Sequence, residues 1–466
     1  MGPSESRLRP RLPDLRTTGL AALVLLVLCA SLVTYSGGRL NLSVYRIDLD
    51  VYRFGSTAWL HGADLYGALP PAGAGLYLGF TYPPISAVVM APLAMMPIRL
   101  AGVVITVITL GLLMAVVALF LRTAGVADRR GAWRLAAALL PVAALIEPVR
   151  TTLAYGQINV VLMALVAFDC LAPGHPTRRG MARLRIGRVT LVWPRGALVG
   201  LAAAMKLTPA VFLLYFVTRR DWRGALTTAT SFLAFTGIGF LAAGRDSVKY
   251  WTDMVFDTGR IGPLEFSGNQ SITGVFYRAH LTGSAEKDLW LASAAVVGLL
   301  ALAAIGRASR EGHSLLAVAL TACTEELVSP VSWSHHWVWA APVLLTAVVY
   351  AVRSGRRRLL VWSCAGIALF VSAPQFWFPH TNGRELHWAW WEQVIGSAYV
   401  WVAVAAIAVT AYPEIKRLWR ERVKRAGGSG SGGGEVEDSP ASGPQVTTAS
   451  MTVSMTASVT PASLGG

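Results

Sequence analysis

The sequence predicts an all-α polytopic membrane protein, and three observations predict it. Of its 466 residues 54% are hydrophobic and 14% charged, and the mean hydropathy of +0.52 lies far above that of soluble domains. About twelve apolar runs recur along the chain. The basic residues behind a net charge of +16 fall in short clusters between those runs. There they set orientation and meet anionic headgroups; with no soluble recognition fold beside them, nucleic acid is not an expected partner. Cys29, Cys170, Cys323 and Cys364 lie in or at the ends of apolar runs without CxxC or Cys/His spacing, so they read as packing residues.

Residues 1–18, with Arg7, Arg9, Arg11 and Arg16, form a cytoplasmic amino-terminal segment ahead of the run 19–35. No small-x-small site closes that run convincingly, so it reads as an uncleaved first helix. Further runs follow at about 83–98, 100–121, 134–147, 158–173, 195–217, 223–243, 288–306, 314–329, 336–352, 358–374 and 394–412. Several are shorter than the ~20 residues a full crossing needs. The membrane domain is expected over 19–415. The end of the chain, 416–466, is first basic and then rich in Gly, Ser and Thr, a composition expected of a disordered cytoplasmic tail.

The loops divide into two kinds. Those at 122–134, 174–195, 218–223, 307–310, 353–358 and 416–425 are arginine-rich and are expected inside. Those at 36–82, 147–157, 244–287, 329–336 and 375–393 are aromatic and mixed in polarity, and are expected outside. Twelve unbroken crossings would put 122–134 and 174–195 outside instead. The charges resolve the conflict if a segment near 83–121 and the segment holding "AMKLTPAVF" are broken or re-entrant, the second at Lys206 and Pro209. A broken helix is tolerated at depth only where it is buried in protein or lines a cavity.

The outside loops and broken segments carry "RIDLDVYR" (46–53), "GFTYPPIS" (79–86), "EPVRTTLAYGQIN" (147–159), "KLTPA" (206–210), "DTGRIGPLEFSGNQS" (257–271) and "SPVSWSHHWVWA" (329–340). Each has a bland reading. A lone Arg or Lys at a helix end is commonly a snorkelling anchor, interfacial Tyr and Trp form belts, and "YPP" starts a helix. Adjacent histidines point about 100° apart on a helix, and no third metal ligand has the right spacing.

Together, and in this order, the motifs resemble the actinobacterial polyprenol-phosphate-mannose-dependent α-(1→2)-mannosyltransferases of phosphatidylinositol mannoside and lipomannan assembly, members of the GT-C glycosyltransferase superfamily. The resemblance runs from about residue 46 to about 340. It implies a GT-C fold, an active site facing the periplasm, and a catalytic aspartate in the first external loop at Asp48, with Asp50 at a more variable position. It also implies a lipid-linked sugar donor, a glycolipid acceptor and membrane lipid as partners.

The residues suit that chemistry independently. There is no P-loop and no Rossmann glycine pattern, and a polyprenyl-phosphate sugar already carries an activated anomeric carbon. A single inverting displacement needs one base, unlike the paired carboxylates of retaining hydrolases. Lys206, Arg150, Arg260 and the His335-His336 pair are candidates for stabilising phosphate charge. Asp50, Tyr82, Glu147, Tyr155, Gln157, Asn159, Asn269, Gln270 and Trp333 are candidates for binding sugar and acceptor. No cofactor is expected, and no carboxylate cluster calls for a metal. The alternatives are an arabinofuranosyltransferase using decaprenyl-phosphate-arabinose and, in another class, a lipid or sugar transporter. The transporter is disfavoured because the motifs gather at one face and the halves show no duplication.

Overall fold

The computed structural model describes residues 46–428, except residues 74, 175–178 and 187–188, together with two short paired strands, β1 (Tyr35–Ser36) and β2 (Arg39–Leu40). The first apolar run up to residue 34 and the tail from 429 lie outside the described residues. The eleven later runs all become helices. They are α2 (Pro84–Ala94), α3 (Ile98–Thr123), α4 (Arg129–Leu145), α6 (Asn159–Leu171), α7 (Ala197–Met205) with α8 (Leu213–Thr218), α9 (Trp222–Ala242), α10 (Gly283–Arg310), α11 (Ser314–Val328), α12 (Ala340–Ser354), α13 (Arg357–Ser372) and α14 (Ala398–Gly428). Further helices sit in the aromatic loops; the two that bear on the site are α1 (Ile47–Leu60) and α5 (Glu147–Tyr155), and shorter ones form at Gly244–Lys249, Ile272–Arg278 and Trp390–Gly396.

Among the described residues six helical spans are long and apolar enough to cross a bilayer: Ile98–Thr123, Trp222–Ala242, Gly283–Arg310, Ser334–Ser354, Arg357–Phe376 and Ala398–Arg422. A seventh is possible if α4 and α5, bent by 80° at Ile146, act as one. Among the described residues the count of candidate spans is thus smaller than the count of apolar runs, because several runs form helices too short to span. The region 83–121 is two helices parted by Pro97, which starts α3. The Lys206 segment is broken as expected. There α7 stops at Met205, Lys206 is extended (φ −150°, ψ 125°), and a 3₁₀ turn, Thr208–Phe212, leads into α8. The carbonyl of Met205 exposed by this break is taken by Ser86 Oγ of α2 at 2.6 Å.

α7 packs against α9, α6 against α3 and α7, and α10 against α11. Small residues permit the closest of these approaches. A Cβ on Gly200 would stand 2.5 Å from Thr228 O of α9. α1 packs on α2 and buries Leu49, Val51, Tyr52, Gly55 and Ser56, so this stretch is a wall of protein and not a free amphipathic strip. Within it a Cβ on Gly55 would lie 2.3 Å from the Phe80 ring, a contact that only glycine permits. The compact unit ends at Arg417, within α14; the residues from Leu418 onward form a separate unit, described as far as Gly428.

Candidate active site

α1 begins at Ile47, so Asp48 and Asp50 lie two positions apart on a helix, about 200° around its axis. Asp48 faces a cavity of about 680 Å³, within the usual range for ligand sites. Asp50 faces away and pairs with Arg53 at 3.5 Å. Arg53 in turn donates to the carbonyls of Leu93 and Met96 at the end of α2 (3.1 and 2.9 Å), so the "YR" of this motif divides its labour. Its Tyr52 lines the cavity while its arginine fastens a helix end.

Gln157 reaches Asp48 because the chain after α5 turns through Gly156, whose φ is +71°. Any side chain there would also stand 2.9 Å from Leu49 Cβ, so glycine lets this loop lie against α1. Gln157 Nε2 donates to Asp48 Oδ2 at 2.8 Å, and its Oε1 accepts from Tyr52 and from Tyr82 (3.3 Å). The two tyrosine hydroxyls are 3.0 Å apart. The amide orientation is fixed by these donors, since only its NH₂ can face a carboxylate. Asp48 lies in α1, outside the spanning helices, and burial pushes its carboxyl up to about 6 against the opposing pull of Gln157 and Lys206.

Lys206, freed by the break after α7, also lines this cavity. Its Nζ donates to Asn159 Oδ1 at 3.1 Å and lies 3.0 Å from His336 Nε2, so that nitrogen is the ring's acceptor. The ammonium stands 5.9 Å over the Tyr82 ring. A small polar cavity of about 20 Å³ adjoins it, lined by Asn159, Thr208, Glu325, Glu326 and His336 among others.

The structure brings Asp48, Tyr82, Gln157, Lys206, Arg260, Trp333 and His336 to one cavity wall, with Asn159 just behind Lys206. Arg260 has less to give than its charge suggests. It donates to the carbonyls of Met254, Phe80 and Thr81 at 2.9–3.1 Å and so holds the 78–83 loop in place.

The other expected site residues lie outside that wall. Asp50 is turned away by the helical period. Arg150 is exposed and does not line the cavity. Glu147 is 1% exposed and accepts from Thr151 and Ser334 (both 2.8 Å), Tyr399 (3.1 Å) and Gln375 (3.3 Å). Tyr155 packs edge-on against His335. The main-chain carbonyl of His335 accepts from Asn159 and Thr152, while its ring is buried beside Tyr155 and His336. Of the two histidines, only His336 presents its ring to the cavity, as adjacent positions on a helical turn dictate.

Asn269 and Gln270 are splices between loops. Asn269 accepts from the Ser332 N–H (3.0 Å) and from Ser271 (2.9 Å), and Gln270 donates to Gly396 O (2.7 Å) and Ser267 O (2.9 Å). Their effect on the cavity is indirect, through Trp333, which bridges to Asn269 through backbone.

Several polar wall residues are not among the sequence candidates, Tyr52 and Thr208 among them, and one of them is charged. Glu325 of α11 faces the cavity, with Glu326 behind it bonded to Ser332 at 2.6 Å. Two acids inside an apolar run were the signal available. The remaining wall is apolar, with Leu207, Ala210, Val211, Val328 and Val331 beside the polar end. Among the described residues no three His, Cys, Asp or Glu side chains gather as a metal site would require.

A carboxylate with one protein partner, a cation with two neutral partners and an aromatic wall suit transfer of a group from an anionic leaving group to an acceptor that must lose a proton. Comparison with known proteins bears on which group. The family model for glycosyltransferase family 87 matches residues 80–330. A polyprenol-phosphate-mannose-dependent alpha-(1-2)-phosphatidylinositol mannoside mannosyltransferase of Mycobacterium tuberculosis is 39% identical over 81% of this chain and 87% of its own length. Its namesake in Mycolicibacterium smegmatis is 41% identical over 78% and 83%. A polyprenol-phosphate-mannose-dependent alpha-(1-2)-phosphatidylinositol pentamannoside mannosyltransferase of M. tuberculosis is 34% identical over 81% and 84%. Among solved structures, ArnT from Cupriavidus metallidurans bound to undecaprenyl phosphate aligns at 13% identity and a TM-score of 0.37, covering 86% of this chain and 78% of that one, too loosely to guide a reading of the site. With more than half of its length under the family model and about 40% identity to curated members over most of it, this chain belongs to glycosyltransferase family 87.

Proposed function

We propose that the chain is a membrane mannosyltransferase that moves mannose from a polyprenyl-phosphate-mannose donor to a phosphatidylinositol mannoside or lipomannan acceptor, forming α-(1→2) linkages with inversion. Asp48, the observation that carries this reading, faces the cavity with Oδ2 bonded to Gln157 and Oδ1 without a protein partner among the described residues. It takes the proton from the acceptor hydroxyl as that oxygen attacks the anomeric carbon. The bond from that carbon to the phosphate oxygen breaks, and polyprenyl phosphate leaves with its charge met by Lys206. His336 and Asn159 aim the ammonium, and the apolar side of the cavity at Leu207, Val211 and Val331 suits the first prenyl units.

Tyr52, Tyr82 and Trp333 offer hydroxyls and ring faces to sugar. The reaction as proposed needs no resident metal, since Lys206 supplies the positive charge. The cavity with its aromatic loops is assigned to the outer side of the plasma membrane and the arginine-rich loops to the cytoplasm. Identity favours an acceptor like that of the phosphatidylinositol mannoside enzymes, at 39% and 41%, over that of the pentamannoside enzymes, at 34% and 33%.

The deciding assay incubates the purified enzyme in detergent with radiolabelled polyprenyl-phosphate-mannose or decaprenyl-phosphate-arabinose and a panel of phosphatidylinositol mannosides and lipomannan. Mannose incorporated in a product open to α-(1→2)-mannosidase is the expected result. Arabinose incorporation alone would replace this reading with the arabinofuranosyltransferase one.

A further inference from the structure

The end of α6 and α7 remote from the cavity carries a second built surface. Between them the chain forms an antiparallel hairpin, β3 (Met181–Ile186) and β4 (Val189–Pro194), with Ala182 opposite Trp193, Arg183 opposite Val192 and Leu184 opposite Leu191. Opposed residues share a face and successive ones alternate. Ala182, Leu184, Val189, Leu191 and Trp193 therefore make one apolar face, and Arg183 stands on the reverse with Thr190 and Val192.

The root of the apolar face is covered. Ala182 is buried, and the Trp193 indole donates to Asp169 at 2.9 Å. Asp169 also accepts from the N–H groups of Gly196 (2.9 Å) and Val199 (3.0 Å), which clamps the hairpin to both helices. Farther out the face is bare: Leu191 is 48% and Val189 60% exposed. No acid occurs between Asp169 and Asp221, whereas that stretch holds Arg178, Arg179, Arg183, Arg185, Arg188, Arg195, Arg219 and Arg220. The 218–224 turn lies against the hairpin root, where a Cβ on Gly180 would touch the Arg223 side chain at 3.7 Å.

We propose that this hairpin binds the anionic headgroup surface of the bilayer on the arginine-rich side, its bare apolar face settled at the headgroup–acyl boundary and Arg183 on lipid phosphate. Charge complementarity and the alternation of apolar and basic positions favour a lipid surface over an acidic protein. An acidic protein would need only the cations, whereas a bilayer surface meets the apolar side chains of one face at the acyl boundary and the cations of the other at the phosphate level above it. The bilayer is also always within reach of a chain that spans it.

The test uses the full chain with Leu191→Cys carrying an environment-sensitive fluorophore, with Cys29 and Cys364 replaced by serine and Cys323 by alanine. It is placed in nanodiscs of phosphatidylcholine alone or with a third phosphatidylglycerol. The expected result is a blue shift and several-fold weaker quenching by aqueous iodide when phosphatidylglycerol is present, reversed by high salt and by Arg183→Glu. Sugar transfer by the labelled enzyme reports that it is folded, and Val189→Cys serves if Leu191→Cys is inactive. Equal quenching in both lipids overturns the proposal: if strong in both, the hairpin stands in water, and if weak in both, anionic lipid is not what it binds.

Discussion

Two pairs of charges in this molecule are buried in opposite ways. Asp48 and Lys206 stand half-buried at a cavity, the first with one protein partner and the second with two. Glu147 and Asp169 are 1% and 0% exposed, and each carboxylate is answered by three or four donors. Taking an ion out of water is costly unless its hydrogen-bonding capacity is met. The closed pair meets that condition within the protein and so fastens elements together, Glu147 joining α5 to the 334–339 turn and α14, and Asp169 joining α6 to the hairpin and α7. The open pair leaves capacity that only something other than protein can fill. Residue type alone does not separate a binding charge from a structural one; the number of protein partners does.

The largest effect that would sharpen this comparison is expected at Asp48. Asp48→Asn keeps shape and hydrogen bonding but cannot accept a proton, so turnover falls about 10²–10⁴-fold while folding and donor binding survive. Single-turnover transfer beside a donor-binding measurement checks both halves, and residual turnover above roughly a tenth would remove Asp48 from the base role. The pH profile carries the same prediction. Asp48 works as carboxylate, and burial holds its carboxyl up to about 6. Activity therefore falls tenfold per unit as pH drops below about 6, a break that the Asn variant should lack.

Lys206→Met ranks second. It removes one charge-assisted contact to phosphate, which is typically worth ~1.5–3 kcal/mol, or about 10–100-fold in kcat/KM. The chain should still insert, because a buried-charge cost disappears with it. Kinetics with varied donor decide, and wild-type values would place the lysine among snorkelling anchors.

Glu147→Gln should touch activity least. It replaces one acceptor oxygen with a donor facing other donors, at a cost of about 1–3 kcal/mol in stability. Heat denaturation in detergent should come earlier, with kcat and KM unchanged below that transition. A loss of turnover without loss of stability would break the distinction between open and closed charges.

Several features were legible because they follow from local rules. The break at Lys206 and Pro209 needs only the clash of a charge and a proline with an apolar helix, and the contrast between Asp48 and Asp50 needs only 3.6 residues per turn. The family resemblance rested on motif order. The same motifs misled where two uses share one composition. "GNQS" and "EPVR" look like sugar-binding polar stretches, yet Asn269, Gln270 and Glu147 spend their hydrogen bonds on other loops. Glu325 was passed over because its run scored as an apolar segment.

By itself the sequence determined the helical membrane class, the sites where helices break, and the residues able to act as base and cation, since these depend on hydropathy, proline geometry and side-chain chemistry within a few positions of one another. Only the tertiary structure decided which charges stay open. Asp48 and Gln157 are 109 positions apart and Lys206 and His336 are 130 apart, and whether a lone pair meets a protein donor or an empty cavity depends on packing between such distant segments, which no local pattern encodes.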